Sequence, residues 1–230
     1  MKASAIIVAA GSGTRLGFDT PKAFVELNGR SLLSYSLRTI AAVPSIEEAV
    51  VTVPAGMESR ARAEVKSAGL EIPVKLTPGG AERQDSVRIA LGLTSAEAEL
   101  IIVHDAARPF ATPAMFEAAL AAAGRAGGAI AAIPLADTLK RVDRGHAIVA
   151  TVARAALWQA QTPQAFRRDL LIRAHERAVT ERIVATDDAD LVEQLGASVE
   201  VVDGSALNFK VTTAEDLRLA ELVVATRFGC

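Results

Sequence analysis

The sequence predicts an α/β protein whose open, mostly parallel sheet is covered by helices on both faces. Short apolar runs alternate with amphipathic stretches along the chain, which is the order of strands and helices in such folds. Several runs are apolar on both faces, as expected for strands with helices on either side. Half of the 230 residues are hydrophobic but only 4% are aromatic. A core of small aliphatic side chains fits this architecture.

The apolar runs predict six strands, and the amphipathic stretches predict seven helices. The strands are expected at residues 4–10, 48–53, 72–76, 99–103, 128–133 and 198–202. The helices are expected at residues 31–42, 57–68, 82–93, 113–125, 167–179, 187–196 and 213–227. Thr112 and Pro113 offer an N-cap and a first-turn proline for the fourth helix. These elements predict one Rossmann-like domain over residues 1–230, with ligands beyond the carboxyl ends of the strands.

Residues 134–164 do not follow this alternation. The tetrapeptide Asp143-Arg144-Gly145-His146 is typical of a tight turn, and residues 138–142 and 148–152 are typical of the strands that it would join. We therefore predict a protruding β-hairpin arm within residues 134–156. A lone hairpin exposes its strand edges, and packing against a partner subunit is one way to cover them. An ordinary edge hairpin is the alternative.

Composition excludes several classes of partner. The formal net charge is −2, so the chain has no bulk positive charge to neutralise a nucleic-acid backbone. No apolar run approaches the ~20 residues that a membrane span needs.

The glycine-rich residues 11–17 make a signal peptide a poor description of the N-terminus. Cys230 is the one cysteine, which favours a reducing compartment, and we expect a cytoplasmic protein.

A glycine-rich segment after the first strand carries the sharpest signal for a ligand. It reads AAGSGTRLG at residues 9–17, followed by Pro21-Lys22. Glycines let backbone N–H groups approach an anion, and Arg15 and Lys22 can bind phosphate oxygens. The third glycine and acid of a dinucleotide site are absent, as is the Gly-Lys-Ser/Thr of a P-loop. The segment predicts a triphosphate site, and two solvated surface cations are the alternative.

Five further segments extend this pattern over most of the chain. They read GGAERQDSV at 79–87, VHDAARP at 103–109, QTPQ at 161–164, TDD at 186–188 and NFKVT at 208–212. Together they resemble the signature segments of the 2-C-methyl-D-erythritol 4-phosphate cytidylyltransferases, a family of nucleotidyltransferases. Two positions depart from the family pattern, Ala23 after the Pro-Lys pair and Ala90 after the S-V segment. Neither departure removes a charged or phosphate-facing group.

The resemblance implies a reaction between CTP and 2-C-methyl-D-erythritol 4-phosphate in non-mevalonate isoprenoid precursor synthesis. The products would be the CDP-alcohol and pyrophosphate. A phosphate oxygen is already anionic at neutral pH, so positioning and charge stabilisation can replace a strong general base. The implied catalytic residues are Arg15 and Lys22, on the triphosphate and the leaving pyrophosphate, and Lys210, near the α-phosphate.

The resemblance also assigns binding residues and a cofactor. The nucleotide would be bound by Ala9, Ala10, Gly11, Gly13, Gly79, Gly80, Ala81, Ser86 and Ala106. The polyol phosphate would be bound by Asp105, Arg108, Thr138, Arg154, Thr162 and Thr186. The resemblance also implies a homodimer in which the hairpin arm swaps between subunits, so that Thr138 or Arg154 would serve the neighbouring subunit's site. Mg²⁺ is the implied cofactor, held mostly by the phosphates of CTP, with Asp105 as a candidate ligand.

Alternatives remain open for single residues and for the whole chain. Asp105 could cap a loop, Arg108 could form a structural ion pair, and Ser86 could be a helix-surface hydroxyl. His104 ends an apolar run and is expected to be a packed histidine and not a base. A relative that uses ribitol 5-phosphate would share the CTP segments. A nicotinamide oxidoreductase and a non-catalytic binding module are the alternatives from other classes.

Overall fold

A computed structural model of the chain describes residues 1–11, 13 and 20–228, with residues 227 and 228 described by their backbone alone. Seven strands form the central sheet: β1 (Ala3–Val8), β4 (Ile46–Val53), β5 (Val74–Pro78), β6 (Leu100–Asp105), β7 (Gly128–Pro134), β10 (Trp158–Arg167) and β11 (Val199–Asp203). Their spatial order is β11-β7-β10-β6-β1-β4-β5. Six of these strands were predicted from the apolar runs, within a few residues at each end. The sequence did not predict β10.

The sheet is parallel except for β10. Strand β1 pairs in parallel with β6 and β4, so that Ile6 lies between Val103 and Val50. Strand β10 runs antiparallel to both β6 and β7, with Gln164 opposite Val103 and Ile130. The other six strands therefore end at one edge of the sheet, and β10 begins at that edge. This edge is where the predicted ligand-binding residues come together.

Helices cover both faces of the sheet, as predicted. On one face lie α1 (Leu32–Ala41), α2 (Glu58–Ala68) and α4 (Pro113–Ala126), and on the other lie α3 (Arg83–Leu91), α5 (Arg168–Glu181) and α6 (Asp188–Glu193). Alternate residues of β1 point to opposite faces, so Ile7 packs with Phe116 and Leu37 while Ile6 packs with Leu171 and Val87. Burying apolar side chains on both faces is the main stabilising contribution to this sheet.

A smaller apolar cluster holds the last helix against the body. Helix α7 (Ala214–Phe228) packs on the short hairpin of β2 (Glu26–Leu27) and β3 (Arg30–Ser31). Leu27, Phe110 and Val224 are among its buried members. The sequence predicted α7 but not this hairpin. None of the helices in the described part of the chain is long and apolar enough to cross a membrane.

The hairpin arm is formed by β8 (Leu139–Val142) and β9 (Ile148–Val152), which pair only with each other among the described residues. In the turn, the carboxylate of Asp143 accepts hydrogen bonds from the backbone N–H groups of Gly145 and Ala147. The side chain of Ile148 is 65% exposed and that of Val142 47%. The arm protrudes as the sequence predicted and presents apolar side chains that this chain does not cover.

Candidate active site

Two adjoining cavities open at the edge of the sheet where the six parallel strands end. The first, of about 390 Å³, lies over the ends of β1 and β6 and the start of α3. Most residues predicted to bind the nucleotide line it, together with Lys22 and Lys210: Ala9, Ala10, Gly11, Gly80, Ala81, Ser86 and Ala106. Ala9 and Ala10, predicted inside the first strand, lie in the loop after β1. Arg15 lies outside the described residues.

Ser86 shapes the loop between β5 and α3. Its buried hydroxyl accepts a hydrogen bond from the N–H of Gly80 at 3.0 Å and donates one to the carbonyl of Glu82 at 3.1 Å. The hydroxyl is therefore inside the loop, and the alternative of a helix-surface hydroxyl is wrong. This bonding leaves backbone groups of the loop along the wall of the first cavity.

Gly79 is required where two loops of the first cavity approach each other. A Cβ atom at Gly79 would overlap the Cβ of Ala10 and lie 2.8 Å from the hydroxyl of Ser86. Gly13 is similarly close to Lys22, since a Cβ there would overlap the Cβ of that lysine, and its φ of +68° suits glycine. Close packing therefore requires glycine at these two positions, apart from any role of the segments in binding a nucleotide.

Gly79→Ala is expected to raise the KM for CTP by about tenfold, because the added methyl group pushes apart the two loops that form the first cavity. Steady-state kinetics at saturating polyol phosphate would measure this change. Gly92→Ala is the matched control, since a Cβ at Gly92 meets nothing nearer than 3.5 Å. An unchanged KM in Gly79→Ala would show that the loops need no close approach.

The second cavity, of about 250 Å³, shares one wall with the first. Arg83, Asp105 and Lys210 line both cavities. The start of β10 and the loop before α6 complete the second one. Four residues predicted to bind the polyol phosphate line it: Asp105, Arg108, Thr162 and Thr186.

Asp105 lies at the centre of the shared wall and contacts two cations. Its Oδ1 accepts from Nε of Arg83 at 3.0 Å, and its Oδ2 accepts from Nζ of Lys210 at 2.6 Å. Burial alone would raise the pKa of this carboxyl, but the charges of Arg83 and Lys210 outweigh burial and hold the pKa well below its usual range. The carboxylate is ionised at neutral pH and fixes two cations between the cavities.

Arg83 connects this wall to a buried carboxylate behind it. Its Nη1 lies 2.8 Å from Oδ2 of Asp188, whose side chain is 1% exposed. Nε2 of His175 lies 3.2 Å from Oδ1 of the same carboxylate. Burial would raise the pKa of Asp188, but Arg83 and then His175 lower it. Arg83 lies in the segment 79–87 and Asp188 in the segment 186–188, but the sequence patterns assigned neither residue a role. Their charge, within segments that resemble a known family, was the signal that could have identified them.

His104 is a packed histidine, as expected from the sequence. It is buried on β6, and burial lowers its pKa to about 4, so the ring is neutral at pH 7. The Thr162 hydroxyl accepts from the backbone N–H of Asp105, which leaves its own hydrogen for Nδ1 of His104. Nε2 then donates to the carbonyl of Arg108 at 3.3 Å. Thr162 thereby holds both His104 and the backbone of Asp105 in place.

Arg108 reaches the second cavity from the loop after β6. Its Nη1 donates to the carbonyl of Asn208 at 2.8 Å, and its Nη2 lies 3.4 Å from the carbonyl of Ala160. Burial lowers its pKa, and Asp105 partly offsets that effect. Both of these hydrogen-bond partners are backbone carbonyls, whereas a structural ion pair would need a carboxylate. The contacts therefore do not support the alternative of a structural ion pair. The cation remains available to an anion in the second cavity.

Thr138 and Arg154 are not brought into either cavity. Thr138 is exposed at the start of the arm, and Arg154 lines a separate cavity of about 530 Å³ at the base of the arm. Within one chain the structure therefore gathers four of the six residues predicted to bind the polyol phosphate. The other two lie on the element predicted to cross to a partner.

Comparisons with known proteins identify the family of the chain. The family model described as 2-C-methyl-D-erythritol 4-phosphate cytidylyltransferase matches residues 3–226. A protein of that name from Deinococcus radiodurans is 48% identical over 220 residues, covering 96% of this chain and 88% of the relative.

Solved structures give the same result. The 2-C-methyl-D-erythritol 4-phosphate cytidylyltransferase of Thermus thermophilus superposes with a TM-score of 0.81 at 37% identity, over 97% of this chain and 98% of that one. A 4-diphosphocytidyl-2C-methyl-D-erythritol synthase from Anaerococcus prevotii gives a TM-score of 0.85 at 29% identity, over 97% and 98%. From this match along nearly its whole length, the chain belongs to the 2-C-methyl-D-erythritol 4-phosphate cytidylyltransferase family.

Proposed function

We propose that this protein transfers CMP from CTP to 2-C-methyl-D-erythritol 4-phosphate and releases pyrophosphate, in the non-mevalonate route to isoprenoid precursors. The observation that carries the proposal is the pair of cavities that share Arg83, Asp105 and Lys210. The first cavity has the glycine-rich loops suited to a nucleotide, and the second has the cations and hydroxyls suited to a polyol phosphate. Family membership favours the methylerythritol phosphate over ribitol 5-phosphate as the acceptor.

The shared wall is suited to a reaction between two anions. A phosphate oxygen of the polyol substrate attacks the α-phosphorus of CTP, a new P–O bond forms, and the bond to the leaving pyrophosphate breaks. Bringing the two phosphates together costs free energy unless cations offset their repulsion. Lys210 stands between the cavities, held by Asp105 at 2.6 Å, so its charge is in place before the substrates arrive.

Lys22 and Arg15 would act on the other side of the α-phosphate. Lys22 lines the first cavity at the start of the short helix Lys22–Phe24. Negative charge builds on the pyrophosphate as it leaves, so a cation there stabilises the transition state more than the ground state. Arg15 lies within the glycine-rich segment of residues 9–17, and its role on the triphosphate stays a prediction.

A pyrophosphate-release assay tests the proposed reaction. Purified protein with Mg²⁺ is expected to release pyrophosphate with CTP and 2-C-methyl-D-erythritol 4-phosphate, and much less with ATP, GTP or UTP. Replacing the acceptor by ribitol 5-phosphate is expected to lower kcat/KM strongly. No release with the methylerythritol phosphate would refute the proposal, and faster turnover of ribitol 5-phosphate would identify the other acceptor.

Mg²⁺ is proposed to bind mainly through the phosphates of CTP and water. Each carboxylate oxygen of Asp105 already accepts from a cation, which disfavours direct ligation of Mg²⁺ by Asp105. Across residues 1–11, 13 and 20–228, no three acidic, His or Cys side chains are grouped to hold a metal. When bound, Mg²⁺ neutralises phosphate charge.

Removal of divalent cations is expected to abolish turnover. Added EDTA should stop pyrophosphate release, and excess Mg²⁺ should restore it, because the triphosphate needs charge neutralisation. Thermal unfolding without CTP should stay within about 1 °C on EDTA addition, since the proposed ion binds with the nucleotide and not to the folded protein alone. Turnover that continues in EDTA would contradict a role for the ion.

We propose a homodimer in which the arm of one chain serves the site of the other. The arm exposes Ile148 and Val142, and it carries Thr138 and Arg154 away from the cavities of their own chain. Burying the apolar side chains in a subunit interface would stabilise the arm. A swapped arm would also supply the two residues that the second cavity lacks.

Mixing two inactive variants tests this arrangement. Arg154→Ala and Lys210→Ala homodimers are each expected to be nearly inactive. Mixed dimers carry one site with both defects and one with neither, so random reassortment should restore up to about a quarter of wild-type activity. Sedimentation would establish the dimer separately. Mixed dimers with no gain in activity would show that Arg154 acts within its own chain.

The proposed location is the cytoplasm. Cys230, the one cysteine, cannot form a disulfide within the chain, which suits a reducing compartment. Fractionation of cells that express the full chain would test this location.

A further inference from the structure

Buried polar atoms without a hydrogen-bond partner fall into two groups in the described part of the chain, apart from the hydroxyl of Ser36 on α1. The first group lies at and beside the second active-site cavity: Arg83 Nη2, Arg108 Nε, Gln164 Oε1 and Asn208 Oδ1. The second group consists of Arg168 Nε and His175 Nδ1. Leaving such an atom buried and unpaired is costly, so each one favours binding of a partner. At the active site, substrate is that partner.

The two residues that carry the second group, Arg168 and His175, line a separate cavity. This cavity, of about 470 Å³, lies between α3 and α5 and shares no lining residue with the two active-site cavities. Its apolar wall includes Leu91, Ile172 and Val179. Val179 is 59% exposed. A cavity with an apolar wall and a few polar groups is the usual form of a small-molecule site.

His175 lines this cavity and has one ring nitrogen without a hydrogen-bond partner. Its side chain is 2% exposed, and its Nε2 faces the ionised carboxylate of Asp188. A carboxylate only accepts, so Nε2 carries a hydrogen towards Asp188, and Nδ1 is left without a partner. A hydroxyl group can both donate and accept a hydrogen bond. A hydroxyl group in the cavity would therefore satisfy Nδ1.

Two arginines make the cavity suited to an anion. Nε of Arg168 is buried without a partner, and Arg88 lines the opposite side, on α3. Arg88 is 3.8 Å from Asp85, which is a loose and half-exposed pair. Among the described residues that line the cavity, Glu176 is the acidic one, so the arginines outnumber it. Arginine binds carboxylate and phosphate oxygens with its N–H groups.

We propose that the cavity between α3 and α5 is a second ligand site, for a small organic anion that carries a hydroxyl group and an apolar tail. The anionic group accepts from Arg168 and Arg88, the hydroxyl forms a hydrogen bond with Nδ1 of His175, and the tail packs on Leu91 and Ile172. The site is distinct from the site of the proposed cytidylyl transfer, because it shares no lining residue with the reaction cavities.

The probe is 2-hydroxyisocaproate, which has a carboxylate, a hydroxyl and a branched tail. Calorimetric titration of the full chain is expected to show saturable binding of one probe per chain. Isocaproate, which lacks the hydroxyl, should bind about fivefold more weakly because it leaves Nδ1 unpaired. In imidazole nitrogen NMR spectra, the probe should shift the signal of His175 and leave those of His104 and His146 in place.

Matched variants locate the binding. Arg168→Gln is expected to weaken it at least tenfold, whereas Arg173→Gln makes the same charge change on the exposed side of α5 and should leave it unchanged. Val179→Trp fills the cavity from its exposed rim and should block binding without altering a buried residue. Absence of saturable binding, equal weakening by Arg173→Gln, or displacement of the probe by CTP would overturn the proposal.

Discussion

Replacing Lys210 with methionine is expected to lower kcat/KM by about 100- to 1000-fold, the usual effect of removing one preorganised group that stabilises transition-state charge. Methionine keeps much of the volume of the lysine but removes the cation between the two cavities. Asp105 keeps its contact with Arg83 at 3.0 Å, so its carboxylate stays paired. The free energy of unfolding should fall by no more than about 2 kcal/mol. Pyrophosphate release and urea unfolding measure the two effects.

Lys66→Met is the matched control for this variant. Lys66 is exposed on α2 and lines neither cavity, and its replacement should change neither activity nor stability. The same comparison applies to Lys22→Ala, which should also lower turnover far more than stability. If Lys210→Met lost activity only in proportion to its folded fraction, the lysine would be structural and the proposed charge stabilisation wrong.

Asp188→Asn is expected to have the largest effect on stability. The carboxylate is 1% exposed and pairs with an Arg83 side chain that is 26% exposed. Removing one partner of a buried ion pair leaves the other charge poorly solvated, which costs about 3 kcal/mol. Because Arg83 also holds Asp105, kcat should fall as well. Urea unfolding at pH 7 measures the loss, and Asp169→Asn, on the exposed start of α5, is the control.

The same variant should alter the dependence of stability on pH. The folded protein lowers the pKa of Asp188 below its unfolded value of about 4, so the carboxylate contributes stability above that value. This contribution is lost as the pH falls through the folded pKa. Asp188→Asn has no such group, so its unfolding free energy should decline less steeply than that of the wild type below about pH 4. Parallel declines would show that Asp188 contributes nothing to acid sensitivity.

Strand β10 shows where sequence patterns stop being informative. A central strand is normally apolar, and a proline argues against one. Residues 158–167 contain Gln161, Thr162, Pro163 and Gln164, all buried. The polar side chains are buried because they bond across the sheet edge, as Gln161 does to Asn208 and Gln164 to Asp187. Such partners come from distant parts of the chain, so no local period reveals them.

The residues of the candidate site could be predicted where they lie close together in the sequence. Glycines at 79–80 and the acid that ends β6 could be identified because turns and strand ends have local signatures. The role of Arg83 could not, since its carboxylate partners are 22 and 105 positions away in the sequence. Burial converts such a distant pair into a strong interaction, and burial depends on the completed fold.

The antiparallel strand also determines how the sheet can be assembled. Strands β7 and β11 are hydrogen-bonded to the rest of the sheet only through β10. A nascent chain that ends before residue 158 can pair β1, β4, β5 and β6, but it has no strand by which β7 could join them. Completion of the sheet must wait for this late, non-local pairing. Because β10 also brings Thr162 to Asp105 and lines the second cavity, that cavity is completed only when β10 joins the sheet.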